Sequence, residues 1–375
     1  MLIGVVAETE PHETRVAASA ETVKKFLALG AEAAVERGAG VNAGILDADY
    51  AAAGARLVST AEALGADVVL KVRRPSGAEL GQMKRGALVV ASMDPYGHQD
   101  AVAAMAEAGV AAFAMELLPR ITRAQTMDVL SSQANLAGYR AVIDAAAEYG
   151  RALPMMMTAA GAVPAAKAFV MGVGVAGLQA IATAKRLGAK VTAYDTRPVV
   201  EEQVKSLGAQ FFKIDLGETG QTKDGYARAL TEEQVQKQRD AMKKTCGESD
   251  VVITAAQVFG RRAPILVTAE MLNAMKPGSV VVDLAVETGG NVEGVVYDQV
   301  TDRNGVKIVG IANLPARVPL HASQVYSANL TSLIEEFWDK QNKNFILKLD
   351  DEIIKGCLVT HGGKIVNEKL VAKPS

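Results

Sequence analysis

The sequence predicts an α/β protein made of two doubly wound domains. Short apolar runs alternate with helical patterns, and the alternation occurs twice, before and after one long helical stretch without proline. Such alternation argues for parallel sheets covered by helices on both faces. The 375 residues exceed one ordinary domain, and an apolar content of 49% can fill two cores.

The first set of strand-like runs is "LIGVVA", "AEAAVE", "ARLVS", "DVVLKV", "ALVVASM" and "VAAFAM". Helical patterns separate them. Residues 19–30, "SAETVKKFLALG", start with Ser19 as a capping residue and Glu21 near it, and residues 98–109 read "HQDAVAAMAEAG". The stretch from Thr126 to Gly150 predicts a helix roughly 35 Å long, enough to leave one domain and enter another. The second set is "AFVMG", "KVTAYD", "AQFFKI", "DVVITA", "SVVVDLAV" and "KIVGIANL". A Gly-rich stretch, "DLGETGQTKDGYARAL", and a charged helix interrupt it. The C-terminal "FILKLDDEIIKGCLVTHGGKIV" reads as short strands or a hairpin. It is expected to cross back, giving one domain from 1–135 plus 320–375 and another from 136–319.

Composition excludes several classes. A net charge of -2 gives no reason to expect nucleic acid. Cys246 and Cys357 are far apart, which suits a reducing cytoplasm without disulfides, zinc or another metal site. The start, "MLIGVVAETE", lacks the basic region of a secretory signal. The longest apolar run, residues 168–184, is too short to span a bilayer comfortably and holds three glycines that suit a strand–turn–helix. The chain is not expected to cross a membrane on its own.

The most specific signal lies in that run. Gly172, Gly174 and Gly177 form G-x-G-x-x-G after a strand and at the start of a helix, and Asp195 ends the next strand 18 residues later. The first glycine permits a tight turn. The second lets a pyrophosphate approach the backbone, and the third lets helix and strand pack closely. The helix start adds partial positive charge. Asp195 should accept from the ribose hydroxyls of NAD and repel a 2′-phosphate, while Arg197 could also hold such a phosphate. NAD is the expected cofactor.

The stretches "PRITRAQTMDVLSSQANLAGYRAVIDAA", "MMMTAAGAVPAAKAFVMGVGVAGLQAIATAKRLGAKVTAYDTR" and "MKPGSVVVDLAVETGGN" closely resemble domain I of proton-translocating nicotinamide nucleotide transhydrogenase, its NAD(H)-binding component. The resemblance covers essentially the whole chain, and "GVVAETEPHETRVAAS" and "NLPARVP" extend it to alanine dehydrogenase. It implies two Rossmann-like domains with a deep cleft that receives the nicotinamide. It assigns Arg120, Gln125, Asp128 and Ser131 to that ring, with Ile121 and Thr122 beside them. It assigns Gly172, Val173, Gly174, Val175, Gly177, Asp195, Thr196 and Arg197 to the dinucleotide, and Gly225, Gln238 and Gln257 to positions near it. Gln257 stands where a close relative has an apolar residue. Tyr226, among Gly217, Gly220 and Gly225, falls in a mobile loop that closes over NAD(H). The implied partners are a membrane-spanning subunit and an NADP(H)-binding β subunit, with NADP(H) held there. A homodimer on the inner face of the cytoplasmic membrane is implied too. The chain ends without a spanning segment, so it reads as the separate first portion of a split α subunit, or equally as a piece of a longer chain.

Alanine dehydrogenase is the rival reading. Reducing an imine consumes a proton as well as a hydride and needs a positioned acid, commonly histidine. Hydride exchange between two nicotinamides consumes no proton. The chain has four histidines, His12, His98, His321 and His361. The position of the dehydrogenase's catalytic histidine aligns with Asp94, and a shifted alignment brings in His98. The substrate-binding Arg15 and Lys71 have counterparts, and Glu287 replaces an aspartate. Arg15 and Lys71 are expected to pair with carboxylates at the domain interface. For Arg120 and Asp128 the plain alternative is a salt bridge at a helix start. A third reading is a non-catalytic NAD-sensing module.

Overall fold

The computed structural model describes residues 1–214, 216, 230–258 and 260–371. The Gly-rich stretch with Gly217, Gly220, Gly225 and Tyr226 lies outside them, and the expected lid with it. The chain divides into two compact units, Met1–Gln133 with Ala316–Ser375, and Ala134–Pro315.

In the first unit all six apolar runs form strands. The sheet runs in the order Lys364–Ile365, Leu358–His361, Ala111–Ala114, Leu88–Ser92, Val68–Arg73, Leu2–Val5, Glu32–Glu36, Arg56–Val58. The six N-terminal strands are parallel, and Leu358–His361 joins Ala111–Ala114 antiparallel. Parallel strands are covered on both faces, so they read as unbroken apolar runs. In Val68–Arg73 every residue but the last is buried, and Lys71 is the one charge among them.

The second unit repeats the design. Its order is Gln210–Phe211, Lys190–Tyr194, Lys167–Met171, Val251–Thr254, Val280–Asp283, Val306–Val309, Val300–Arg303. All pairs are parallel except the last. The run "AQFFKI" shrinks to the two residues Gln210–Phe211. The strand Val300–Arg303 carries few apolar residues and escapes an apolar-run search. Its turn, Asn304–Gly305, has two positive φ angles, 54° and 79°, the backbone that favours Asn-Gly in two-residue hairpins.

The first helix, Ala20–Ala28, is capped by Ser19 as expected, but the reciprocal partner is Thr22 and not Glu21. The third helical position is the one whose side chain can reach back to the cap. The long helix spans Val129–Glu148, shorter than the 126–150 expected. Thr122–Met127 forms a 3₁₀ turn instead, and Asp128 starts the helix by accepting from the Ser131 N–H at 2.9 Å. At 20 residues it is about 30 Å long. Among the described residues no helix is long and apolar enough to cross a membrane.

Within the second unit the long helix packs on the helix Val175–Arg186 at Gly138. A Cβ on Gly138 would lie 2.1 Å from the Ala176 carbonyl oxygen, so the two backbones touch. Gly138→Ala should therefore cost about 1–3 kcal/mol by overpacking. Urea denaturation should show a lower midpoint at unchanged slope.

Candidate functional site

Strand Lys167–Met171 lies between Lys190–Tyr194 and Val251–Thr254. The chain goes to one side first and then to the other, which makes this the switch point of the sheet. In open α/β sheets the crevice outside the carboxyl ends at such a point receives the ligand. The glycine turn sits there. Gly172 has φ 93°, and a Cβ on it would strike the Ala255 backbone at 2.9 Å. A Cβ on Gly177 would lie 1.9 Å from the Gly172 carbonyl oxygen. Gly174 differs: its φ is an ordinary -86°, and a Cβ there would meet nothing within 4 Å among the described residues. The fold thus requires glycine at 172 and 177 but leaves open space over 174, which is the room a pyrophosphate needs against the backbone.

Asp195 closes the side of the turn. Its Oδ2 accepts from the Val173 N–H at 2.8 Å and from Arg197 Nη2 at 2.9 Å. Its Oδ1 accepts from the Arg197 N–H at 2.8 Å and Arg197 Nε at 2.9 Å. The guanidinium also donates to the Val173 carbonyl at 3.0 Å.

The first unit holds a buried charge cluster around the carboxyl ends of its strands. Arg15 grips Glu13 with two parallel bonds of 2.7 and 2.6 Å and donates to Gln133 Oε1 at 2.8 Å. Arg73 adds a bond to Glu13 at 2.9 Å. Lys71 Nζ lies 2.7 Å from Glu79 and 3.5 Å from Glu8. One ammonium cannot fully compensate two carboxylates. Burial raises both acids, but close contact with Lys71 holds Glu79 below its ordinary value. Burial outweighs the more distant Lys71 at Glu8 and pushes it up to about 7. Glu116 is half-buried, with its carboxyl turned inward. Its Oε1 accepts from the Met93 and Asp94 N–H groups, and its Oε2 has no hydrogen-bond partner among the described residues. Burial pushes this carboxyl up to about 7 as well.

The family descriptions "Alanine dehydrogenase/PNT, N-terminal domain" and "Alanine dehydrogenase/PNT, C-terminal domain" match residues 4–137 and 141–368. The chain belongs to the alanine dehydrogenase/PNT family. Within it, the chain is 49% identical over its whole length to the whole of an NAD(P) transhydrogenase alpha subunit chain from Rhodospirillum rubrum. It resembles the crystal structure of transhydrogenase from Sinorhizobium meliloti with a TM-score of 0.86 and 51% identity, covering 98% of this chain and 100% of that one. A solved L-alanine dehydrogenase shares the fold at a TM-score of 0.80 but with 26% identity, over 99% of this chain and 98% of that one. The chain is thus on the transhydrogenase side of the family.

Other residues singled out from the sequence take distinct places. Arg120, Thr122 and Gln125 are exposed, and Ile121 is half-buried. Asp128 and Ser131 are joined by a hydroxyl–carboxylate bond of 2.5 Å. Asp128 therefore serves the helix start. Gln238 is buried and donates to the Tyr194 hydroxyl at 3.2 Å, so it sits in the core beneath the second strand. Gln257 is exposed and donates to the Leu284 carbonyl at 3.2 Å. Val173 is buried and Val175 exposed, Thr196 is half-buried, and Glu287 is exposed. Asp94 is 62% exposed and lies 3.4 Å from His98 Nε2. Arg15 and Lys71 do pair with carboxylates, although the sequence does not show which. Glu8 and Glu13 lie in the segment that follows Leu2–Val5, Glu79 in the short helix Gly77–Leu80, and Glu116 in the 3₁₀ turn Met115–Leu117. Glu8 and Glu116 stand directly after the apolar runs "LIGVVA" and "VAAFAM", whereas Glu13 and Glu79 carry no such signal.

Glu116 gives a measurable pH dependence. Its carboxyl titrates near 4.5 when unfolded and near 7 when folded. Between these values the folded chain holds a proton that the unfolded chain has released. Stability therefore falls as pH rises through this window and stays low above it. Glu116→Gln keeps the shape without the charge. It should be nearly neutral at pH 5 and stabilising by about 2 kcal/mol at pH 8 in urea titrations.

Proposed function

We propose that this chain is the NAD(H)-binding component of a proton-translocating transhydrogenase. It exchanges hydride directly with NADP(H) held by a partner subunit, while a membrane-spanning subunit couples the exchange to proton movement. The observation that carries the reading is the open space over Gly174 beside the Asp195 carboxylate. A turn shaped by two obligatory glycines, with a third that the protein itself does not require, fits a dinucleotide.

The roles follow from this fit and from the family resemblance. The N–H groups at the start of helix Val175–Arg186 face the pyrophosphate. Asp195 accepts from the adenosine ribose hydroxyls. Arg120, Asp128 and Ser131 hold the carboxamide and ring, and Gln125 faces the partner. When bound, the nicotinamide supplies or receives the hydride. No proton is exchanged with it, so the chain's contribution is orientation and exclusion of water. This is why an Asp94 at the position of a dehydrogenase's acid does no harm. The identity to the Rhodospirillum rubrum subunit supports partner subunits and a place beside the cytoplasmic membrane. The family's dimer is carried over with them.

Mixing the chain with an NADP(H)-binding transhydrogenase subunit should give hydride transfer from NADPH to an NAD analogue. Absence of transfer, with NADH binding intact, would leave an NAD-sensing module. Turnover of alanine or pyruvate with NAD(H) would replace the reading by a dehydrogenase. Gly174→Ala should leave the melting temperature within about 2 °C of wild type, because none of the described residues meets the new methyl. It should weaken NADH binding at least about tenfold, read by fluorescence titration.

A further inference from the structure

We infer that Arg197 is a latch on the ribose site: its guanidinium occupies the Asp195 carboxylate and must leave before the nucleotide's hydroxyls can bind. The inference rests on the proposed NAD(H) site and adds to it a residue that sets both affinity and choice of nucleotide.

An ionised carboxylate offers about four acceptor positions, two on each oxygen. At Asp195 all four are taken. Oδ1 receives the Arg197 N–H and Nε, and Oδ2 receives the Val173 N–H and Arg197 Nη2. Two of these donors, the N–H groups of Val173 and Arg197, are backbone and stay in place. The other two belong to one guanidinium at the end of a flexible side chain. They are the two positions that a ribose diol, with its two hydroxyl donors, would use. The pair is also movable. Arg197 is 16% exposed, half-buried beside the switch-point crevice. The guanidinium's further bond to the Val173 carbonyl, at 3.0 Å, is to the turn itself, so the same side chain holds the turn closed on Asp195.

Two consequences follow from charge and mass action. A site that is competent only with the latch open binds more weakly by the open fraction. Removing the guanidinium should therefore tighten NADH binding. If Arg197 were instead a direct nucleotide contact, its removal would weaken binding, so the sign decides. The second consequence concerns the 2′-phosphate. A guanidinium that has left Asp195 stays on residue 197, beside the ribose site, where it can pair with a 2′-phosphate and offset the carboxylate's repulsion. With Arg197 gone, the bare carboxylate repels it.

The test uses the full chain with Arg197→Ala, Arg197→Lys and Asp195→Asn. Ligand-free melting should drop by about 5 °C in Arg197→Ala, because a half-buried carboxylate loses its partner, and NADH should restore more of that stability than it adds to wild type. By fluorescence titration Arg197→Ala should bind NADH about fivefold more tightly than wild type and raise the NADPH-to-NADH ratio of dissociation constants about tenfold. Arg197→Lys keeps the charge without the fork and should fall between the two. Asp195→Asn should lose NADH affinity. If wild type binds NADH and Arg197→Ala binds it less tightly or equally, the latch is wrong while the site stands. If neither wild type nor Arg197→Ala binds NADH, the site itself is wrong and the latch falls with it.

Discussion

The second unit depends on a contact in which no side chain takes part. Gly177, at the start of the helix Val175–Arg186, lies against the carbonyl of Gly172, where an added Cβ would stand 1.9 Å from the oxygen. One residue earlier, the Ala176 carbonyl meets Gly138 of the long helix, with 2.1 Å left for a Cβ. Strand end, helix start and long helix are thus stacked backbone on backbone. The stack holds the start of the helix against the strand end. It leaves Gly174 uncovered, and it sets the turn at the height where the Asp195 carboxylate, one strand away, reaches the Val173 N–H. The open space and the acid beside it are products of this packing rather than separate features.

The first unit uses the same sheet plan to a different end. Its switch point, between Leu2–Val5 and Val68–Arg73, holds charges in place of glycines. Lys71 is shared by two carboxylates at 2.7 and 3.5 Å, and the nearer one takes most of its field. The farther, Glu8, is left with a burial cost that its partner does not cancel. Glu116 spends one oxygen on the backbone N–H groups of Met93 and Asp94, and among the described residues its other oxygen meets no donor. Asp94 sits at φ 46°, a conformation that an aspartate tolerates when the loop around it is fixed.

Much of the fold was legible because parallel strands are buried on both faces and show as plain apolar runs. "DVVLKV" and "ALVVASM" needed no periodicity to be seen. Val300–Arg303 was not legible in that way, since an edge strand needs only one covered face, although Asn304–Gly305 carried a hairpin signal. The glycine turn was legible as a pattern, and the structure gives Gly172 and Gly177 steric reasons while Gly174 has open space over it. The buried acids were not. Glu8 and Lys71 lie 63 residues apart, and only the strand order brings them to one end of the sheet. Gln238 was named through the resemblance alone, and no residue pattern shows that it is buried with its amide donating to the Tyr194 hydroxyl. Asp128 and Ser131 were visible as a polar pair, and the structure adds that their first duty is to start a helix.

Two arginine–carboxylate pairs bear on which chemistry the chain can host. The Arg15–Glu13 pair is closed to solvent, with side chains 6% and 0% exposed, and Arg73 binds the same carboxylate. An incoming substrate carboxylate would have to displace Glu13, and the displaced charge would remain buried without its partner, a cost of about 3–5 kcal/mol. That weighs against a reaction that recruits a small acid to Arg15. The Asp195–Arg197 pair lies beside an open turn and has one movable partner. In the proposed site, a nucleotide that displaced the guanidinium would return two hydroxyl donors to the same carboxylate, which keeps its hydrogen bonds. The same pair of side chains is thus enclosed in the first unit and, by the proposal above, exchangeable in the second. What separates them among the described residues is the open space over Gly174 beside Asp195.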